Sequence, residues 1–498
     1  MSSIPKYQRI INERVKRAFP LSAYGARNGL RKQVRQMLDK VSSLASSRVV
    51  RLGRDGLPAS AFSIPESGNS PERVIDQLVG QFEGLPNWAQ AGVMVNLMPP
   101  TTSGGALAHF LTALLNPDAC SSEFSGKRIM QVEKQLVTVF SRLMGFPETT
   151  FGFFTYGGSA GIKYGLLQGL ERAYPGRFER GQLPGAVILA SERAHFATRC
   201  AAVELGIGAR NVVSVRADEN DGLRVDDLEK KIRQVLASGR QPACLVATLG
   251  TTDTFGLDNL GEIHTVLKHF NRPLYVHADA VVSWAWSFFA DYDFTTNPLQ
   301  FNPETLKALQ SIVKHLRYLP LADSVSINPH KFGYVPIPAS VVLFKNNGVM
   351  ERQRSVLKMP QLYQQEEIHS LEATRYAGGI LATQATLSLL GKEGYQSMLG
   401  RVIEMGLYLR RRLLGIEGVK LINPEALGPG TLFYVEGKDS KKIYDYFMAQ
   451  VEEERVLIST ALRDKKIVLK SLIISPFTDE ESIDRFCRLL SRSLRSVD

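Results

Sequence analysis

Cysteine is scarce. The four thiols of this 498-residue chain, Cys120, Cys200, Cys244 and Cys487, stand far apart with no C-x-x-C pair. That spacing speaks against a zinc ribbon, a thioredoxin-like motif and a disulfide framework, and no metal is expected. Long apolar runs are missing too: nothing approaches the ~18–20 residues of a membrane-spanning helix. No apolar stretch follows the N-terminal charges, so no secretory signal is expected. The Arg- and Ser-rich, acid-poor start leaves an organellar transit peptide as the alternative to a cytoplasmic protein. Most of the chain also lacks an excess of either charge. Residues 1–54 hold thirteen Lys and Arg against two acids, Glu13 and Asp39, and so carry the whole net charge of +11. Residues 55–498 hold 47 basic and 47 acidic residues. A basic nucleic-acid groove in the body is therefore not expected. The arm reads as a solvated or partner-wrapping segment, with contact to an anionic membrane as the alternative.

Apolar residues make up 44% and charged residues 22% of the chain, a balance that excludes disorder and assures a sizeable core. Val132, Leu136, Val139 and Leu143 recur at helical spacing. A short apolar run at Phe151–Tyr156 follows, then a glycine-rich turn, then a helix face at Ile162, Leu166 and Leu170. Strands are predicted at Ala186–Ala190, Val212–Val215, Cys244–Thr248, Leu274–His277, Ser324–Ile327 and Ser340–Phe344, with helices alternating among the first four. That alternation predicts an α/β fold with a mainly parallel sheet and helices on both faces. Helices are expected at 381–390 and at Val402–Leu414, then strands at Thr431–Tyr434 and Val468–Ile474 and a terminal helix. The expected organisation is a basic arm and lead-in over 1–95, a large domain over 96–395 and a small C-terminal α/β domain over 396–498.

Four clusters carry chemistry. Gly157-Gly158-Ser159-Ala160-Gly161 lies between a predicted strand and helix, where close backbone approach and a helix N-terminus suit a phosphate. The same turn matches G-x-S-x-G, and Ser159, Asp279 and His330 follow the chain order of a serine hydrolase, which stands as a rival reading. His277-Ala278-Asp279-Ala280 ends a strand, where ligands of parallel sheets gather. An acid in so apolar a run demands a cation or donor. In Asn328-Pro329-His330-Lys331 the lysine sits among Ile327, Phe332 and Tyr334, surroundings that lower an amine's pKa towards what Schiff-base chemistry needs. His195, in Ser191-Glu192-Arg193-Ala194-His195, is placed to stack on a planar ligand or to move a proton. Trp284 and Trp286 suggest an aromatic pocket, though packing is the commoner use of such residues.

Together with Ala247-Thr248-Leu249-Gly250-Thr251-Thr252, these motifs occur in one order and spacing. In that order the chain resembles the pyridoxal-phosphate-dependent group II amino-acid decarboxylases over about residues 90–498. Ala322–Pro336 and Glu372–Gly379 look most like the bacterial tyrosine-decarboxylase branch. The resemblance implies fold type I, pyridoxal 5'-phosphate as cofactor, and a carboxy-lyase removing the α-carboxylate of an L-amino acid. By the same resemblance Lys331 holds the cofactor as an internal aldimine, Asp279 bonds the pyridinium nitrogen, and His195 stacks on the ring. Gly158 and Ser159, with Asn328, match the phosphate site. Thr248 matches a residue near the cofactor's oxygen side, and His330 the histidine beside the lysine. Gly378 is expected to approach the phosphate from a second subunit, which implies a homodimer with shared active sites; His277 is an adjoining position.

Two departures qualify the resemblance. Ile162 stands where the family commonly has Asn. The family protonates its carbanion with a loop tyrosine, and between Val335 and Arg375 the only tyrosine is Tyr363. If Tyr363 does not serve, oxidative deamination after decarboxylation, or a lyase or carbon–carbon bond-forming outcome, becomes the alternative. Residues Asn346–Ser370 are expected to form a mobile loop.

Overall fold

The computed structural model describes residues 6–10, 27–46, 64–82, 85–119, 126–181, 184–270, 274–346, 348–357, 370–372 and 374–496. Seven strands form the larger sheet: β1 (Phe151–Thr155), β2 (Ala186–Ser191), β3 (Val212–Val215), β4 (Gln241–Thr248), β5 (Tyr275–Asp279), β6 (Ser324–Ile327) and β7 (Ser340–Phe344). Their order is β1-β7-β6-β5-β4-β2-β3. Neighbours are parallel except at β7, which runs antiparallel to both β1 and β6. β2, β5, β6 and β7 are buried along their whole length, as strands covered on both faces must be, and this is why they read as unbroken apolar runs. The parallel crossovers bring the C-terminal ends of β2, β4, β5 and β6 to one edge.

Helix α2 (Gly158–Ala173) crosses the sheet closely; α1 (Ser103–Leu115) precedes it in the chain. The sequence shows the Ile162, Leu166 and Leu170 face, yet the close approach depends on a second stripe. A Cβ on Gly161 would lie 2.2 Å from Ser326 Oγ, one on Gly165 2.2 Å from His277 Nδ1, and one on Gly169 2.9 Å from Cys244 Cβ. His277 cannot yield, because Ser324 Oγ (2.8 Å) and Ser326 Oγ (3.0 Å) hold its two ring nitrogens. Gly165→Ala is therefore expected to destabilise the fold by about 3 kcal/mol, read as a lower denaturant midpoint. An unchanged midpoint would show that the helix can back away.

A second sheet holds β8 (Val419–Leu421), β9 (Gly430–Val435), β10 (Ser459–Arg463) and β11 (Lys466–Leu472), antiparallel throughout in the order β10-β11-β9-β8. Helices Ser440–Glu454 and Glu480–Ser496 accompany it, and Phe433, Phe447 and Phe486 centre its core. Met94 belongs to this core, and its amide donates to Leu457 O at 2.9 Å.

Three expectations change. The two helices at 381–390 and 402–414 are one, α3 (Gly378–Leu414), kinked where Gly391 takes φ 60°. Only glycine enters that region freely, so the chain turns without ending the helical run. Ile380 and Tyr395 of α3 pack in the first core, Leu409 and Leu413 in the second. β8 and β10 were not anticipated, since β8 is short and β10 is half-exposed with no alternation to read. Asp464 and Lys465 make the β10–β11 turn at φ 48° and 65°, doing what Asn-Gly would have advertised. Finally, the segment expected to be a mobile loop begins as a helix, Gly348–Leu357, anchored by buried Met350 and Gln353; residues 358–369, Tyr363 among them, lie outside the described residues.

Candidate active site

Parallel pairing places Thr248 of β4 beside Asp279 of β5, and Asp279 beside Ser326 of β6, so the chain beyond each strand end converges on one point. There a cavity of about 280 Å³ is lined by Gly157, Gly158, Ser159, His195, Thr248, Asp279, Asn328, His330 and Lys331. These residues come from the ends of five strands, β1, β2, β4, β5 and β6, or the segments that follow them. Gly250, Thr251, Thr252 and Val281 complete other parts of the wall.

The electrostatics turn on burial. Lys331 is held below the ordinary lysine pKa by desolvation, against the opposing pull of Asp279. Asp279 is pushed up by desolvation and drawn back by Lys331 and by the Val281 amide. Each is the other's principal countercharge in a site that would otherwise disfavour both ions. His195 is lowered by burial and by Lys331. Its Nδ1 accepts from the Ala197 amide at 3.2 Å, so the neutral ring carries its proton on Nε2; the exposed Phe196 ring lies 4.3 Å away, centroid to centroid.

Two polar atoms on the wall, Thr248 Oγ1 and Asn328 Oδ1, are buried without a hydrogen-bond partner. Such atoms are costly to bury unless a ligand completes them. Gly158 leaves the approach open, since a Cβ there would come within 3.0 Å of Asn328 Nδ2 and 2.9 Å of Val281 Cγ1. A planar ligand with an anionic arm for the glycine-turn amides, a hydroxyl, and a protonated ring nitrogen for Asp279 fits this mix of donors and acceptors.

A match to the family description "Pyridoxal-dependent decarboxylase conserved domain" covers residues 83–429. The chain belongs to the pyridoxal-dependent decarboxylase family. Pyridoxal 5'-phosphate is accordingly its cofactor and amino-acid decarboxylation its reaction. The decarboxylase is 25% identical over 405 residues to the acidic amino acid decarboxylase GADL1 of Xenopus tropicalis, covering 76% of this chain and 74% of that protein. It is 22% identical over 440 residues to an aromatic-L-amino-acid decarboxylase of Bacillus atrophaeus, covering 84% and 85%. Neither relative singles out the bacterial tyrosine-decarboxylase branch. In fold it is similar, at a TM-score of 0.81 and 17% identity, to the glutamate decarboxylase domain of a Vibrio parahaemolyticus protein. That alignment covers 99% of this chain and 100% of the other.

The rival hydrolase arrangement is not assembled in this decarboxylase. His330 Nδ1 donates to Ala339 O at 2.6 Å and Nε2 faces Asn328 Nδ2 at 3.3 Å, so neither nitrogen is engaged with Ser159 or Asp279. Burial drops the His330 pKa to about 4. His277 sits beneath α2 as a structural histidine, with its pKa lowered to about 3 by burial. Trp284 and Trp286 are packing residues: both are fully buried, and Trp284 Nε1 donates to Asn328 O at 3.0 Å. Gly378 begins α3 and is not on this chain's cavity wall; a Cβ there would meet the Tyr376 ring at 2.2 Å.

The sequence reading passed over Asp258, which accepts from Thr248 N (2.7 Å) and Leu223 N (2.8 Å) and so fixes the strand end that presents Thr248. Burial raises its pKa to about 7. Its signal in the sequence is an acid set between Leu257 and Leu260. Likewise unforeseen, Glu133 pairs with Arg375 and accepts from Phe154 N at 2.7 Å, tying residues 374–376 to β1.

Because the folded-state pKa values of His277 and His330 lie below the unfolded value near 6.5, the unfolded chain binds more protons below that pH. The histidines' share of the stability is thus full above pH 6.5 and falls as the pH drops towards 4, by about 1 kcal/mol per pH unit per histidine, while the raised Asp258 carboxyl opposes part of that fall. Thermal melts between pH 7 and 4 should show this loss, with a shallower slope in His277→Gln; an equal slope would place the acid sensitivity elsewhere.

Proposed function

We propose that this decarboxylase acts on an L-amino acid through Lys331, Asp279 and His195, with Gly158, Ser159, Thr248, Asn328 and His330 seating the cofactor. The observation that carries the reading is the Lys331–Asp279 pair, a half-buried amine and a buried acid opposing each other's desolvation in one cavity. Bound pyridoxal phosphate supplies the electron sink that no side chain here provides. Lys331, with its lowered pKa, would hold the cofactor through its amine. Asp279 would keep a proton on the cofactor's ring nitrogen. Gly158 and Ser159, at the start of α2, offer backbone N–H groups to the phosphate. Asn328 Oδ1 and Thr248 Oγ1 complete polar contacts they otherwise lack. His195 covers the ring and is one proton source for the substrate carbon. Tyr363, outside the described residues, is proposed as the other.

A panel of L-amino acids assayed for CO₂ and amine together tests the reaction. Equal yields support it, and no CO₂ from any of them overturns it. Tyr363→Phe is expected to keep CO₂ release while aldehyde and ammonia replace amine; unchanged amine would assign proton return to His195.

A homodimer with shared sites is proposed as well. Leu107, Phe110, Leu111 and Leu115 expose an apolar face on α1, which packs beside the start of α3, where Gly378 lies. Light scattering should give twice the 55.2 kDa chain mass; an active monomer would contradict it. The division at 95 and 395 is proposed with the two sheets as its support, the segment around Met94 packing on the C-terminal one. Cytoplasmic residence is proposed on the scarce and, among described residues, unbridged cysteines; none of the described helices is long and apolar enough to cross a membrane.

A further inference from the structure

A buried carboxylate outside the cavity carries more connections than packing requires. Asp221 is 1% exposed and takes φ 62°, a left-handed backbone conformation. Its oxygens accept from Arg463 Nη2 at 2.6 Å and Nη1 at 2.9 Å, a bidentate pair. Arg193 Nε lies 3.2 Å from Oδ1, and Thr254 Oγ1 donates to Oδ2 at 2.6 Å. Facing it, Phe255 also takes φ 62°, and a Cβ on Gly256 would meet Asp221 Cβ at 2.7 Å. Two left-handed residues held against each other mark a place where surrounding contacts over-determine the backbone.

The three partners lead to three different places. Arg193 lies two residues before His195, on the turn that presents that ring to the cavity. Thr254 gives its hydroxyl proton to Asp221, so in the 2.9 Å contact between Thr251 and Thr254 it is Thr251 that donates, while Thr251 Oγ1 accepts from Gly256 N at 2.8 Å. Thr251 and Thr252 line the cavity. Arg463 belongs to β10, in the other sheet. A second tie, Lys470 Nζ of β11 to Asp253 Oδ1 at 2.6 Å, runs alongside.

We propose that Asp221 is a positioning residue for the reaction: through Arg193 and Thr254 it sets the His195 turn and the Thr251–Thr252 wall, and through Arg463 it makes their placement depend on the second sheet. The proposal rests on the reading of His195 as the group that covers the cofactor. Removing the charge leaves Arg193 and Arg463 around a neutral side chain with the exposed Asp464, 3.4 and 3.9 Å from them, as their remaining shared counter-ion, and both cavity walls shift.

Asp221→Asn separates the charge from the backbone, because asparagine tolerates the left-handed conformation and still accepts from Thr254. In the pyridoxal-phosphate-loaded enzyme it is expected to lower kcat by about tenfold or more, with KM held within about threefold, as a small misplacement of a reacting group does. The circular dichroism that the asymmetric site induces in the bound cofactor should change too. The double variant with His195→Gln should be no slower than His195→Gln alone by more than about threefold, because residues acting as a unit are not additive. If Asp221→Asn fails to fold, Arg193→Gln tests the same link while leaving the Asp221–Arg463 pair intact. Unchanged kcat and dichroism in a variant where His195→Gln is impaired would overturn the positioning role alone. Multiplicative losses in the double variant, with a lowered melting temperature and unaltered dichroism, would reduce Asp221 to a structural residue. An unaffected His195→Gln would overturn the reading of His195 and the proposal with it.

Discussion

Lys331→Ala is expected to lower turnover by more than about a thousandfold, because among the described residues no other amine lines the cavity to take its place. Cofactor binding should weaken and still be measurable, since Asp279, Asn328, Thr248 and the Gly158–Ser159 turn remain. Borohydride reduction should fix the cofactor's mass on the peptide containing Lys331 in the wild-type protein and leave the variant unlabelled. Turnover retained within tenfold would remove Lys331 from its proposed role. The direction of its pKa makes a second statement. Burial, the larger influence, favours the neutral amine, while Asp279 opposes it. The reactive form is therefore present at a lower pH than for a solvated lysine.

Asp279→Ala is expected to lower kcat by about a hundredfold or more, because the variant loses the anion proposed to keep the ring nitrogen protonated. It also removes the interaction with Asp279 that raises the Lys331 pKa, so that pKa should fall further. The two effects are separable. The pH dependence of the cofactor's absorbance reports on the lysine, and turnover at saturating substrate reports on the ring nitrogen. Asp279→Glu tests geometry: it keeps the charge on a side chain one methylene longer, in a strand end that is buried on every side. A variant lacking the acid yet retaining wild-type kcat would show that the ring nitrogen is held by another group.

These two residues were legible in the chain because their chemistry conflicts with their surroundings. A carboxylate beside Ala278 and Ala280, and a lysine between Ile327 and Phe332, are too apolar in setting to be solvated, and such residues need partners. The strands were legible for the related reason that full burial leaves an unbroken apolar run. β10 gave no such signal, and Asp221 looked like any turn acid, because the sequence does not record which cations will surround it. The same held for Asp258 and for the Gly161, Gly165 and Gly169 stripe. Their meaning depends on what lies opposite: Thr248 N for the first, His277 and its neighbours for the glycines.

What the sequence by itself determined was the alternation of strands and helices, the motifs at strand ends and the type of chemistry those motifs allow. Apolar periodicity and local turn chemistry are properties of short segments, and they survive without knowledge of distant residues. Only the tertiary structure decided that His277 is a neutral support under α2, that His330 is occupied by Ala339 and Asn328, and that Arg463 of the second sheet closes on Asp221. The His277–Ser324, His330–Ala339 and Arg463–Asp221 pairings span 47, nine and 242 residues, and a group's protonation and freedom to act follow from the partner it meets there.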